Sequence, residues 1–124
     1  MTATLPAMVF AGLAVLTAAF QTALAAGAPY GRWTLGGMYP GRLPAPQRAG
    51  AAVQSPLYLA MALVMAGHGG LVDWVPPGWA VWSALAITLL AAVGAVFTPS
   101  PRERRLWAPV LVAMLVAGGA VALL

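Results

Sequence analysis

The sequence contains no cysteine and no lysine, and its acidic residues are only Asp73 and Glu103. Without cysteine there is no disulfide framework, no thiolate metal site and no redox thiol. Charged residues make up 6% of the 124-residue chain, against about 25% in an ordinary soluble domain. Six arginines and two carboxylates are too few to cover a globule of this length in water. That scarcity excludes an intrinsically disordered chain, a coiled coil and a soluble nucleic-acid binder, so no nucleic-acid partner is expected. Apolar residues make up 62% of the chain, and the solvent that suits such a composition is lipid.

Four apolar stretches are present, at about residues 4–26, 49–67, 79–97 and 106–124. Each runs for about 19 to 23 residues, and about 20 residues at 1.5 Å rise cross a hydrocarbon core of about 30 Å. Lipid offers the backbone no hydrogen-bond partner, so such segments are helices or strands of a closed barrel. Barrel strands alternate polar and apolar residues. These stretches are unbroken Ala/Leu/Val runs, and an all-α membrane fold, a four-transmembrane-helix bundle in a single domain, is expected. Ala23-Leu24-Ala25 has the form of a signal-peptidase site, but no basic residue precedes the apolar run. The first stretch is therefore read as a retained span.

The arginines sort by loop. Arg32, Arg42 and Arg48 lie between spans one and two, and Arg102, Arg104 and Arg105 between spans three and four; His68 and Asp73 occupy the second loop. With four crossings, all six arginines share a face, which the positive-inside rule makes cytoplasmic, with both termini outside. The setting expected is a bacterial inner membrane. All six guanidiniums are expected to meet anionic lipid headgroups or another anion, since Arg binds phosphate through a planar fork. Trp74, Trp79 and Trp82 near the outer boundary, and Tyr30, Trp33, Tyr39 and Trp107 near the inner one, read as interfacial anchors.

The loop 27–48 is broken throughout by Gly and Pro. Gly36-Gly37 between Trp33-Thr34-Leu35 and Met38-Tyr39 predicts a short β-hairpin in this first cytoplasmic loop. Gly31-Arg32 and Gly41-Arg42 repeat ten residues apart, a spacing that could bring two guanidiniums to one phosphate. In the last loop, Ser100-Pro101-Arg102-Glu103 has the form of a capping box with Pro at the first helical position. Helix four is thus expected to span 101–124, with Ser100 and Glu103 as its cap and Pro109 kinking it. His68 with Asp73 is too small a set for a zinc site, which needs three or four protein ligands; no metal and no cofactor are expected.

Inside the spans there is no Asp, Glu, Lys or Arg. Ion-coupled carriers rely on an intramembrane ionisable group, and none is present. The remaining polar residues are neutral. Gln21 and Gln54 each lie about five residues from the inner ends of spans one and two, roughly 7 to 8 Å deep on the same side. A Gln21–Gln54 hydrogen bond between helices one and two is expected, with Thr17, Thr22 and Ser55 completing an intramembrane polar cluster. Ala14/Ala18/Thr22, Ala113/Ala117 and Gly118/Ala122 show the small-xxx-small spacing of close helix contacts.

Gly27-Ala28-Pro29, Gly36-Gly37, Leu43-Pro44 and the Ser100-x-x-Glu103-Arg104 segment together resemble the loops of a family of small four-helix bacterial integral membrane proteins of uncharacterised activity. Gln21, a polar residue followed by small ones near the end of the first helix, fits the same resemblance. It implies fold and location only. No Cys, His pair or carboxylate pair supplies a catalytic constellation, and Ser55 and Ser83 have no neighbouring base in the sequence, so no enzyme is expected. The reading is a non-enzymatic bundle binding a lipid, a small ligand or a partner membrane protein, alone or as a homo-oligomer. The alternative is a small oligomeric transporter or channel with a neutral polar path through Gln21, Gln54 and Thr17.

Overall fold

Helices α1 (Thr4–Ala25), α2 (Ala45–His68), α3 (Gly78–Val96) and α4 (Pro101–Leu123) carry the chain in the computed structural model, which describes residues 2–124. All four are long and apolar enough to cross a membrane, and the chain is an all-α, multi-pass membrane protein. Three helices begin and end within a residue of the expected bounds. The exception, α2, starts a turn early at Ala45, after an extended Pro44 and with Pro46 in its first turn. First-turn positions need no intrahelical N–H bond, so Pro46 fits there, and Arg48 becomes a helical residue. Pro56 and Pro109 both lie inside helices that continue past them.

The packing is sorted by side-chain size. Ala7, Ala14, Ala18, Ala84, Ala92 and Ala95 are buried where helices meet, and Phe10, Met65, Met114 and Val121 fill the centre. Larger aliphatic groups such as Leu5, Leu90 and Val116 point outward, Leu90 being 74% exposed. In lipid there is little gain in burying a leucine, so small residues that bring backbones together take the contacts. Helix α1 packs along α2 and α4, and α3 along α4, whereas α2 and α3 meet only sparingly.

The closest polar contact between helices joins α1 and α2. Ser55 Oγ donates to the Ala18 carbonyl at 3.1 Å and lies 2.6 Å from Thr22 Oγ1, which itself reaches the Ala18 carbonyl at 2.9 Å. A serine on one helix can reach the backbone of another only where the residues between are small. The Ala14/Ala18/Thr22 stripe provides that approach.

The β-hairpin expected at Gly36-Gly37 does not form, and there is no strand among the described residues. Two 3-10 turns, Gly31–Trp33 and Leu35–Gly37, stand there instead. The glycine pair does turn the chain tightly, but with a left-handed twist. Leu35, Gly36 and Gly37 all have positive φ, at 51°, 67° and 74°, and Gly37 N–H donates to the Thr34 carbonyl at 2.9 Å. Arms of two or three residues are too short to hold a ladder, and the loop's backbone groups find other partners. Gly31 N–H donates to the Gly41 carbonyl at 3.0 Å, and any Cβ at Gly31 would collide with the carbonyls of Tyr39 and Gly41.

Candidate ligand cavity

At the arginine-bearing end of the bundle the four helices border a half-open cavity of about 450 Å³. Helix α1 contributes Thr17 and Gln21, α2 Gln54 and Tyr58, α3 the small Ala91, Gly94 and Ala95, and α4 Trp107 and Leu111. Thr34 and Gly36 of the first loop, with Thr98, Pro99 and Glu103, close its floor. Its polar groups are mostly neutral, and Glu103 is the only charged residue in the lining. Towards the opposite end, Phe10, Met65, Met114 and Val121 are fully buried.

The floor is built by Glu103. Its Oε2 accepts the Gly36 N–H at 2.7 Å and the Thr98 hydroxyl at 3.1 Å. Ser100 Oγ caps the helix as expected, accepting Glu103 N–H at 3.3 Å, and also donates to the Arg32 carbonyl at 3.4 Å. The two arginine-bearing loops are thereby fastened together over the cavity.

The polar cluster read from the sequence divides in two. Thr22 and Ser55 form the α1–α2 link. Thr17, Gln21 and Gln54 face the cavity instead, and the expected Gln21–Gln54 hydrogen bond is not made. Depth along the helices is as expected; azimuth is the reason for the difference. Gln21 stands one turn beyond Thr17, whose hydroxyl donates to the Leu13 carbonyl at 2.8 Å and approaches Met114 Sδ at 3.9 Å on α4. That face is about 100° round the helix from Thr22, which faces α2. Gln21 and Gln54 also line a smaller adjoining cavity of about 110 Å³ with Gln47, whose Nε2 donates to the Tyr39 hydroxyl at 3.3 Å and whose buried Oε1 has no partner.

Trp107 departs from its expected role as an interfacial anchor. It is only 8% exposed, its ring packs on Phe20 with centroids 4.8 Å apart, and its indole N–H is buried without a hydrogen-bond partner. Trp74, Trp79 and Trp82, by contrast, are exposed around the far end, as interface residues are. Tyr58, Trp107, Thr34 and Thr98 are cavity residues that sequence reasoning missed. Tyr58 gave a signal, standing four residues after Gln54 on one helical face; Thr34 and Thr98 gave none, because a loop fold brings them there.

The arginines also divide. Arg48 Nε donates to the Ala25 carbonyl at 3.1 Å and Arg104 to the Thr98 carbonyl at 3.0 Å, so both hold backbone at helix ends. The Arg42 guanidinium lies against Gly27, just past α1. Arg32 does not share a site with Arg42. It lines a second cavity of about 450 Å³ with Arg102 and Arg105 at the start of α4, and no acidic residue borders that space. Gly36 and Pro99 form the wall common to the two cavities. His68 and Asp73 are exposed at the other end, and no group of metal-ligating residues occurs among the described residues. No family model matches the chain, and no curated protein or solved structure matches it either.

Proposed function

We propose that the chain is a non-enzymatic binding protein of a bacterial inner membrane, holding a small amphiphilic ligand or lipid in the cavity between its four helices. In this reading the arginine-bearing loops face the cytoplasm and both termini lie outside, as the positive-inside rule directs.

The observation that carries the reading is the cavity itself, in which Thr17, Gln21 and Gln54 interrupt largely apolar walls. A site with a few convergent polar groups in an otherwise apolar wall is the usual form of a small-molecule site. Against chemistry, the hydroxyls that could act as nucleophiles are engaged: Thr17 on the Leu13 carbonyl and Ser55 on the Ala18 carbonyl, neither beside a base. Conduction needs a wet path, and the fully buried Phe10, Met65, Met114 and Val121 beyond the cavity favour a closed-ended site.

Native mass spectrometry of protein extracted gently from its membrane tests this reading. A small molecule retained in stoichiometric amount is expected, and it is lost from a Trp107→Phe, Gln21→Leu variant of unchanged helix content. Retention indifferent to both substitutions overturns the reading.

A further inference from the structure

We infer that the open cleft between the first loop and the start of α4 is a binding site for a phosphomonoester, gripped by Arg32, Arg102 and Arg105. The site is separate from the cavity between the helices and does not depend on what that cavity holds.

Six arginines gather at this end of the bundle, and the fold selects three. Arg48 and Arg104 donate to the Ala25 and Thr98 carbonyls, and Arg42 lies against Gly27. Arg32, Arg102 and Arg105 line one space of about 450 Å³ that no acidic residue borders. The chain has only two carboxylates. Asp73 lies in the loop at the other end, and Glu103 lines the cavity across the Gly36–Pro99 wall, where its Oε2 accepts the Gly36 N–H and the Thr98 hydroxyl. Even with Glu103 counted in full, three guanidiniums against one carboxylate leave an excess of positive charge. A concave surface lined by one sign of charge concentrates its field on a counter-ion.

The backbone that carries these side chains is fixed without using them. Ser100 Oγ donates to the Arg32 carbonyl at 3.4 Å, and the Glu103 carboxylate accepts the Gly36 N–H at 2.7 Å. Gly37 sits so close to Ser100 that a Cβ there would lie 3.3 Å from its Oγ. Pro40, Pro99 and Pro101 border the cleft and stiffen its rim. Arg102 and Arg105 stand three residues apart, on one face of α4. The first turn of α4 adds the positive end of its dipole to the same space.

The number and origin of the forks define the ligand. A carboxylate is planar and has two oxygens, which one or two guanidiniums satisfy. Three forks arriving from two separate segments suit a tetrahedral group. A phosphomonoester presents three terminal oxygens and a charge of about −1.5 to −2 at neutral pH, whereas a phosphodiester presents two oxygens and one charge. A lipid headgroup and a soluble ester both carry this group.

The test is equilibrium binding to full-length protein in phosphatidylcholine nanodiscs. Phosphatidic acid doped into the disc is the lipid probe, glycerol 3-phosphate the soluble one, and phosphatidylglycerol the phosphodiester comparison. Retained lipid is counted by native mass spectrometry, and glycerol 3-phosphate binding by calorimetry. One phosphatidic acid per chain is expected, held at least about threefold more tightly than phosphatidylglycerol. Arg32→Gln, Arg102→Gln and Arg105→Gln should each weaken binding about tenfold. Arg32→Lys, which keeps the charge and loses the fork, should weaken it about threefold. Arg42→Gln removes the same charge outside the cleft and should change binding by less than about twofold, with helix content unchanged throughout. Glycerol 3-phosphate bound with the same arginine dependence assigns the site to a soluble ester, and phosphatidic acid alone assigns it to lipid; either supports the site. Binding of neither probe overturns it. Phosphatidylglycerol held as well as phosphatidic acid overturns the monoester, and an Arg42→Gln loss equal to the others overturns the cleft in favour of a uniformly basic face. Any molecule retained between the helices is read in the same spectra and should not respond to the three cleft variants, so this site and the binding reading above fail separately.

Discussion

The Glu103 carboxylate at the start of α4 accepts the Gly36 N–H at 2.7 Å across 67 residues of sequence. In a full capping box that carboxylate would turn back to the N-cap N–H. Here the Ser100 N–H lies 3.3 Å from Thr98 Oγ1 instead, and the carboxylate is free to hold the first loop. The left-handed turn at Leu35–Gly37 presents the Gly36 N–H to it. A residue that reads locally as a helix cap is therefore also a tertiary clasp that closes the cavity floor.

Removing that clasp is expected to loosen the loop and leave the bundle intact. Hydrogen bonds to a charged group contribute about 1.5–3 kcal/mol. Glu103→Ala should increase hydrogen exchange across residues 31–41 by an order of magnitude or more, with helix content unchanged. Glu103→Gln keeps an acceptor and should fall between Ala and the native residue. Exchange in the loop that does not respond to Glu103→Ala would show that the turn is held by other contacts.

The α1–α2 link makes a separate prediction. Ser55→Ala removes the donor to the Ala18 carbonyl and the partner of Thr22. Interhelical hydrogen bonds of this kind contribute about 0.6 to 2 kcal/mol in membranes, and a denaturant titration in detergent should show a loss in that range. Thr22→Ala added to Ser55→Ala should cost less than the sum of the two, because the hydroxyls share one acceptor. Full additivity would mean that they act independently.

The fold was legible because lipid imposes two strong rules, span length and backbone satisfaction, and Thr4–Ala25 or Gly78–Val96 could be read almost to the residue. The α2 start was less so, since Arg48 marks the edge of an apolar run and not the edge of a helix. The candidate site was legible in depth and not in azimuth. Spacing along the chain put Gln21 and Gln54 at one level, but which faces meet depends on how α1 turns against α2 and α4. In a chain this rich in alanine, the sequence marks no single preferred face. Trp107 shows the same gap: its place near the start of α4 suits an interfacial ring, and only the packing on Phe20 places it inside.

Five of the six arginines are expected to separate experimentally into two groups. Arg48→Gln and Arg104→Gln remove guanidinium bonds to the Ala25 and Thr98 carbonyls, and each should lower stability by about 0.5–1.5 kcal/mol. Arg32→Gln, Arg102→Gln and Arg105→Gln empty an exposed basic cavity of charge. They should change stability by less than about 0.5 kcal/mol while reducing retention of anionic lipid through purification. Lipid retention that falls equally for all five would return them to a uniform headgroup layer.

Gly118 and Gly119 are neighbours of the same type with opposite expected responses. A Cβ at Gly118 would come within 2.8 Å of Leu85 Cδ2 and 3.1 Å of the Phe10 ring, whereas one at Gly119 meets nothing within 4 Å. Gly118→Ala should destabilise the bundle by about 1 kcal/mol or more through overpacking, with partial rescue by Phe10→Leu. Gly119→Ala should be neutral or stabilising by up to about 1 kcal/mol, as Ala is the better helix former. Thermal unfolding in detergent compares the two directly, and equal shifts would contradict the packing of α4 on α1 and α3.

The topology can be tested without altering any native thiol, because the chain has none. Met38→Cys, at a position 74% exposed in the first loop, and Arg102→Cys at the start of α4 should be labelled by a membrane-impermeant maleimide from the same side. Val75→Cys, at a position 84% exposed in the second loop, should react only from the other. With the arginines retained inside, intact spheroplasts should label Val75→Cys alone, and inverted vesicles Met38→Cys and Arg102→Cys. Labelling of Met38→Cys and Arg102→Cys from opposite faces would remove one crossing. Glu103 and Gly36 would then be separated by the bilayer, and the clasp that floors the cavity could not exist.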